Sequence, residues 1–536
     1  MELSYNGLAN RTEWENKGYI LPEYNIADIV ENTTKNPIWL HLGAGNIFRA
    51  FLANLQQRLL NQGAADKGII VAEGFDYEII EKAYRPFDNL SIFARLKNDH
   101  TVDKIVIGSI TESLRIEPGF VDDFARLKAI FTAPSLQMVS LTITEKGYLI
   151  KNQAGEYFAS VQADFQNGVE QPQSYIGKIV ALLFNRFQNG AAPLAVVSMD
   201  NMSKNGEKLE KVILEFARQW LQAGFVSADF IDYLNSDKIS FPWSMIDKIT
   251  PRPDVEVQQM LQSDGIQNLT PVVTSKNTYV APFVNAEELE YLAIEDNFPN
   301  GRPTLEKVGV IFTDRATVNK IETMKVTTCL NPIHTGLAIF GCLLGYTSIF
   351  AEMRDPDLSA LAKRIGYQEG LPVVIDPKII NPKQFIDEVI NIRLSNDFIP
   401  DTPQRIASDT SQKLSIRFGE TIKSYLRNGN DRDIQTLTAI PLVFAGWLRY
   451  LIAVDDRGNE FENSPDPLLN ELKSKISCVK LGESVSIEIL KPILSDKNIF
   501  GIDLYEVGLA EKVTQYLNEM LLDKGAVRAT LQKYIY

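Results

Sequence analysis

At 536 residues the chain is too long for one compact core, and its 45% apolar and 23% charged residues are ordinary for a folded, water-soluble protein of about two to four domains. The net charge of -14 argues against non-specific nucleic-acid binding, which needs clustered lysine and arginine. It leaves room for an anionic small substrate in a locally basic pocket.

Residues 1–36 read as a polar lead-in, with early acids and no apolar segment of the kind a signal peptide carries. From Pro37 the pattern changes. Residues 38–42 form a short apolar run, as a buried parallel strand should. Gly43, Ala44 and Gly45 follow at once, and then Ile47, Phe48, Phe51, Leu52 and Leu55 recur at helical spacing. A second strand is expected over 68–73, with the acids Glu73 and Asp76 at its end. Further strand-like runs lie at 104–109, 138–143 and 194–198, with amphipathic helices expected at 120–131, 175–187 and 206–221. Strands alternating with helices imply a doubly wound parallel sheet.

After about residue 320 helical patterns take over, at 333–353, 356–366, 383–395, 403–427, 432–453 and 508–524. The loop-like stretch 297–303 lies near the change. The fold class expected is therefore α/β, with an N-terminal Rossmann-type doubly wound domain over 1–315 and a mostly α-helical domain over 316–536. No segment reaches the roughly 18 consecutive apolar residues of a membrane span. Cys329, Cys342 and Cys478 are odd in number and far apart, without disulfide or zinc-knuckle spacing, which suits a reducing, cytoplasmic compartment. The only histidines are His41, His100 and His334, so no catalytic zinc or other metal is expected.

A Gly43-x-Gly45 turn between strand and helix fits dinucleotide binding. Glycines let the backbone approach a pyrophosphate, and the helix N-terminus favours its charge. Phe48 stands where a third glycine is usual, and Arg49 could pair with a phosphate. Such turns also occur as plain strand–helix connections. Glu73 or Asp76 would bind the ribose hydroxyls and repel a 2′-phosphate, favouring NAD over NADP; the sequence does not choose between the two acids.

The segment from Glu322 through Lys325 and Asn331 to His334 carries the strongest chemical signal. Removing hydride from a carbinol carbon needs a base for the hydroxyl proton, and a desolvated lysine can be that base. An asparagine amide can stabilise the developing oxyanion, and a histidine can hold the substrate oxygen. The plainer alternative is a capped helix, with Asn331 as N-cap, Pro332 in the first turn and Lys325 merely solvated. Arg405 and Lys413, eight apart, could share one helix face.

These blocks together resemble the polyol-specific long-chain dehydrogenases, the mannitol dehydrogenase family. The resemblance runs over most of residues 38–450. It is carried by Gly43-Ala44-Gly45-Asn46-Ile47-Phe48-Arg49 and by the stretches 140–148, 198–206, 241–251, 294–303 and 405–413. It implies a Rossmann-type domain, a helical domain, an active site between them and no zinc. On it, Lys325 falls at the catalytic lysine, Asn201 and Asn331 at the oxyanion asparagines, and His334 at the family histidine. Glu322 matches a glutamate near the base, Glu145 one that exchanges protons with solvent, and Asp247, Arg405 and Lys413 substrate-binding positions. This chain departs from the family at one point: five residues, not four, separate Lys325 from Asn331. On a regular helix that would rotate the lysine by about 100°. A π-bulge, a kink at Pro332 or a helix beginning at Asn331 could absorb it.

The expected function is NAD-dependent hexuronate reduction, interconverting D-fructuronate and D-mannonate, by a monomer or small homo-oligomer with no nucleic-acid or membrane partner. Alternatives are a tagaturonate reductase, a mannitol-type polyol 2-dehydrogenase, and a non-catalytic NAD-binding regulator.

Overall fold

The computed structural model describes residues 1–152, 154–427 and 433–536. The chain divides into two units, Met1–Asn319 and Lys320–Tyr536.

The first unit is built on a six-stranded, all-parallel sheet: β1 (Trp39–Leu42), β2 (Ile69–Glu73), β3 (Ile110–Arg115), β4 (Met138–Leu141), β5 (Leu194–Ser198) and β6 (Ile239–Ser240), in the order β3-β2-β1-β4-β5-β6. This is the strand order of a dinucleotide-binding doubly wound sheet. Every residue of β1, β2, β4 and β5 is buried, as strands covered on both faces must be. Alternation sends Leu40 and Leu42 into one core, with the helices Val121–Thr132, Tyr175–Gln188 and Asn205–Gln222. Trp39 goes into the other, with Phe48, Phe51, Leu55 and Leu59.

Two expectations for this unit need correction. The run at 104–109 is not a strand of the main sheet. Val102–Ile107 pairs antiparallel with Ser91–Leu96 in a separate four-stranded sheet that also holds Tyr19–Ile20 and Phe283–Glu287. The main sheet instead takes β3, which starts just past Gly108 and Ser109. Hydrophobic patterning marks a strand but not its sheet. Residues 1–36 are also folded rather than a mere lead-in. Asn25 caps the helix Ile26–Lys35, and Trp14 is fully buried, edge-on to Tyr19, with its indole N–H donating to the Gly7 carbonyl at 3.0 Å.

The second unit is helical. Ala439–Leu451 is buried at every position and packs against Asn331–Leu344 and Ala510–Leu521. The helix expected over 432–453 thus begins at Ala439; Arg432 lies outside the described residues. The pattern at 333–353 splits at Gly345 into Asn331–Leu344 and Ile349–Arg354. The pattern at 403–427 is four short pieces, Pro403–Ile406, Thr410–Gln412, Ser415–Gly419 and Glu420–Arg427. The helical run 315–344 is long and apolar enough to cross a membrane, but most of it is buried in protein, as a core helix is.

Candidate active site

In the first unit the chain turns at Gly43 as it leaves β1. Its φ is +111°, and a Cβ there would sit 2.2 Å from the Thr142 carbonyl oxygen, so only glycine fits. A Cβ on Gly45 would meet nothing within 4 Å; this residue borders a cavity of about 650 Å³ that Gly43, Glu73, Asp76, Thr142 and Tyr175 also line. That volume suits a small-molecule or cofactor site.

Glu73 ends β2 and is tied into the turn. One carboxylate oxygen accepts from the Ala44 N–H at 2.8 Å. The other accepts from the N–H groups of Gly74, Phe75 and Asp76 at 3.0, 2.8 and 3.2 Å. Burial pushes this carboxyl up, and the four amides offset only part of that. Asp76 is also buried and accepts from the Thr274 hydroxyl at 2.6 Å. The Tyr84 hydroxyl donates to the Ala44 carbonyl at 2.8 Å, bracing the turn from below.

The segment after the turn is a π-helix over Phe48–Leu52 before it becomes regular at Ala53–Asn61. Ile47 is half-buried and packs at the edge of the core. Phe48 stacks on His41 with ring centroids 4.5 Å apart, so the place of a third glycine is filled by core packing. His41 is sandwiched between the hydroxyls of Ser140 (2.7 Å) and Thr142 (2.8 Å), and burial lowers its pKa to about 3. Arg49 does not face the cavity. It is fully buried and donates to the Ala281 carbonyl (2.6 Å) and to Asn46 Oδ1 (3.0 Å), while Asn46 itself donates to the Pro251 carbonyl (3.2 Å).

The loop after β4 is pinned by Asp200, which accepts from the N–H groups of Ile143 (2.9 Å) and Thr144 (2.8 Å) and from the Tyr148 hydroxyl (2.6 Å). Glu145 lies exposed on the short helix Thr144–Gly147, 3.3 Å from Lys208. Asn201 is exposed. Its neighbour Asn205 is fully buried and binds the carbonyls of Asp200 (3.1 Å) and Ser244 (2.9 Å) and the Ser244 N–H (2.9 Å). Asp247 closes the strand Ser244–Asp247 and is 7% exposed.

In the second unit Lys325 is 2% exposed, not solvated. It opens a π-helix, Lys325–Cys329, that follows the helix Arg315–Met324, in whose last turn Glu322 sits half-buried. Leu330 breaks the path (φ -129°, ψ -63°), and the next helix starts at Asn331 itself, with Pro332 in its first turn. The extra residue between Lys325 and Asn331 is thus taken up by a wide turn, and Asn331 is the first helical residue rather than the cap.

His334 and Arg405 meet on one carboxylate. His334 Nε2 is 3.1 Å from Asp401 Oδ2, approaching obliquely, outside hydrogen-bond geometry. Arg405 Nε and Nη2 donate to Asp401 Oδ1 at 2.8 and 2.6 Å. Burial raises the Asp401 carboxyl, but His334 and Arg405 outweigh it and the net direction is down. Arg405 and Lys413 do not share a helix face: Arg405 lies on Pro403–Ile406, and Lys413 follows the turn Thr410–Gln412 and donates to the Ser408 carbonyl. Burial lowers the Lys413 ammonium, and the nearby guanidinium of Arg417 adds to this. Arg417, not singled out by the sequence, donates to the Thr335 hydroxyl at 2.5 Å, which in turn donates to the Asn331 carbonyl at 2.9 Å. Among the described residues no group of three His, Cys, Asp or Glu could hold a metal ion.

Comparison with known proteins agrees with this layout. The family model of the mannitol dehydrogenase Rossmann domain matches residues 37–307, and that of the mannitol dehydrogenase C-terminal domain matches 317–521. The chain is 51% identical to the D-mannonate oxidoreductase of Thermotoga maritima, over 100% of this chain and 99% of that one. It is 30% identical to the D-mannonate oxidoreductase of Escherichia coli, over 87% and 89%. The solved structure of Pseudomonas fluorescens mannitol 2-dehydrogenase with NAD and D-mannitol superposes with a TM-score of 0.69 at 28% identity, covering 99% of each chain. The chain is a member of the mannitol dehydrogenase family, with that family's Rossmann domain followed by its C-terminal domain.

Proposed function

We propose that this protein is an NAD-dependent oxidoreductase that interconverts D-mannonate and D-fructuronate. The observation that carries the reading is 51% identity along the entire chain to a protein named D-mannonate oxidoreductase. The basic side chains of Arg405, Lys413 and Arg417 in the second unit support a substrate carboxylate. The acids Glu73 and Asp76 at the cavity support NAD over NADP, since either would repel a 2′-phosphate.

NAD, when bound, exchanges hydride with the sugar carbon. Gly43, Ala44, Gly45, Asn46 and Ile47 form the turn that receives its pyrophosphate, and the open space at Gly45 supports this. Lys325 takes the hydroxyl proton in oxidation and returns it in reduction, and its burial supports that role. Asn201 and Asn331 donate amide hydrogens to the oxygen that gains charge. His334 orients that oxygen, and Glu322 stands one turn before the lysine. Glu145, exposed beside Lys208, exchanges protons with water. Asp247, Arg405 and Lys413 hold the remote hydroxyls and the carboxylate. The protein acts in the cytoplasm as a monomer or small homo-oligomer on a small-molecule substrate.

The test is turnover of D-mannonate, D-altronate and D-mannitol with NAD and with NADP, followed by absorbance of the reduced cofactor. D-Mannonate with NAD should exceed the other substrates in kcat/KM by about tenfold or more. A preference for D-altronate would make it a tagaturonate reductase, and a preference for mannitol would overturn the hexuronate reading.

A further inference from the structure

Asp401 stands behind two residues given substrate-facing roles above, and it is itself 5% exposed. Its Oδ1 takes both Arg405 nitrogens, and its Oδ2 lies 3.1 Å from His334 Nε2. His334 Nε2 and Asp401 Oδ2 are both buried, and neither makes a hydrogen bond with any described residue, although they stand 3.1 Å apart. Asp401 is also tied down through its main chain, whose carbonyl accepts from the Ile349 N–H at 3.0 Å. Behind it lies Glu352, fully buried, with neither carboxylate oxygen hydrogen-bonded. Glu352 packs so tightly on the helix carrying His334 that a Cβ on Gly341 would come within 1.7 Å of its Oε1. Burial, then Asp401 and Asp355, push the Glu352 carboxyl well up. The neighbouring Asp401 thus disfavours charge on Glu352, whereas Asp401, paired with Arg405, is shifted down. Other charged groups nearby are Lys413, near Arg405, Asp409 and Asp466; Arg417, bonded to Thr335 one residue past His334; and Asp355, which faces Glu352 and is ion-paired with Arg528.

We propose that Asp401 is a positioning residue: it holds a proton on His334 Nε2, turns Nδ1 toward the substrate oxygen, and fixes the Arg405 guanidinium relative to that ring. This rests on the role given to His334 above. A carboxylate behind a catalytic imidazole selects its tautomer and steadies its charged form. Sharing that carboxylate with Arg405 means that the group handling the reacting oxygen and the group holding the far end of a sugar acid are set by one anchor.

The experiment compares wild type with Asp401→Asn, Glu352→Gln and His334→Ala in two measurements. The first is kcat and kcat/KM against pH, with melting curves to confirm folding. The second is the ring tautomer of His334, read from its nitrogen chemical shifts by NMR and resolvable because the chain has only three histidines. Asp401→Asn should lower kcat, at most by the about 10,000-fold that loss of a tautomer-fixing carboxylate costs, and should release the proton from Nε2, changing the pattern of the ring nitrogens. Glu352→Gln, isosteric and neutral, should leave both unchanged. An unaltered tautomer in Asp401→Asn overturns the inference, as does a changed one in Glu352→Gln instead. If wild type turns over no sugar acid, the functional reading fails, while the ring tautomer still decides whether Asp401 governs His334. If turnover is normal but His334→Ala is fully active, the role of His334 fails, and Asp401 has nothing to position.

Discussion

Replacing Glu73 by alanine removes one buried carboxylate from four main-chain N–H groups. The bonds to Ala44 and Phe75, both 2.8 Å, are the ones that join the end of β2 to the glycine turn and its own following bend. Each orphaned donor costs about 1–3 kcal/mol. The cavity that Glu73 borders lets water recover part of this, and the burial cost of the carboxylate also disappears, so a net loss of about 3 kcal/mol is expected. Glu73→Gln keeps an acceptor for residues 74–76 but turns its amide hydrogens on the Ala44 N–H, for a loss of about 1–2 kcal/mol. Urea denaturation gives the stabilities, and NADH fluorescence titration gives the affinity. If Glu73→Ala is within about 1 kcal/mol of wild type while NADH binding is lost, Glu73 serves the cofactor alone and the account of the turn is wrong.

Gly43→Ala forces a positive φ on alanine and a 2.2 Å contact with the Thr142 carbonyl; a loss of more than about 3 kcal/mol in thermal or chemical unfolding is expected, and normal stability would refute the turn geometry. His41, whose pKa burial lowers to about 3, stabilises the fold fully above the ordinary histidine value. That contribution, at most about 5 kcal/mol, is lost as pH falls from about 6.5 through about 3. His41→Gln should flatten this acid limb in denaturation midpoints measured against pH; an unchanged slope would count against it. Lys325→Ala should lower kcat by about 100- to 10,000-fold while NADH affinity, measured by fluorescence, stays at the wild-type value; equal loss of both would contradict its role as proton carrier.

The parts of the fold legible in the sequence are those where local pattern and tertiary role coincide. The apolar run before Gly43, the acid ending β2 and the long helix Tyr175–Gln188 are of this kind. Where partners are distant, the sequence is silent. Arg49 sits beside the turn, yet its guanidinium ends on the carbonyl of Ala281, 232 residues later. The two strands Val102–Ile107 and Ile110–Arg115 adjoin in sequence and part into different sheets. Residues 403–427 have helical periodicity, but their packing breaks them into short turns, which separates Arg405 from Lys413. Asn205 was missed because its worth lies in bonds to Ser244. Asp401 had a visible signal, an acid four residues before Arg405, that only the position of His334 gives meaning.

The wide turn at Lys325–Cys329 has a consequence for rigidity. Its backbone is stitched from outside: the Thr421 hydroxyl, on Glu420–Arg427, donates to the Thr327 carbonyl at 3.1 Å, and the Thr327 hydroxyl reaches back to the Thr323 carbonyl at 2.7 Å. The lysine's footing is therefore borrowed from a neighbouring helix. Loosening that helix, far from 325 along the chain, would slacken Lys325 without touching it.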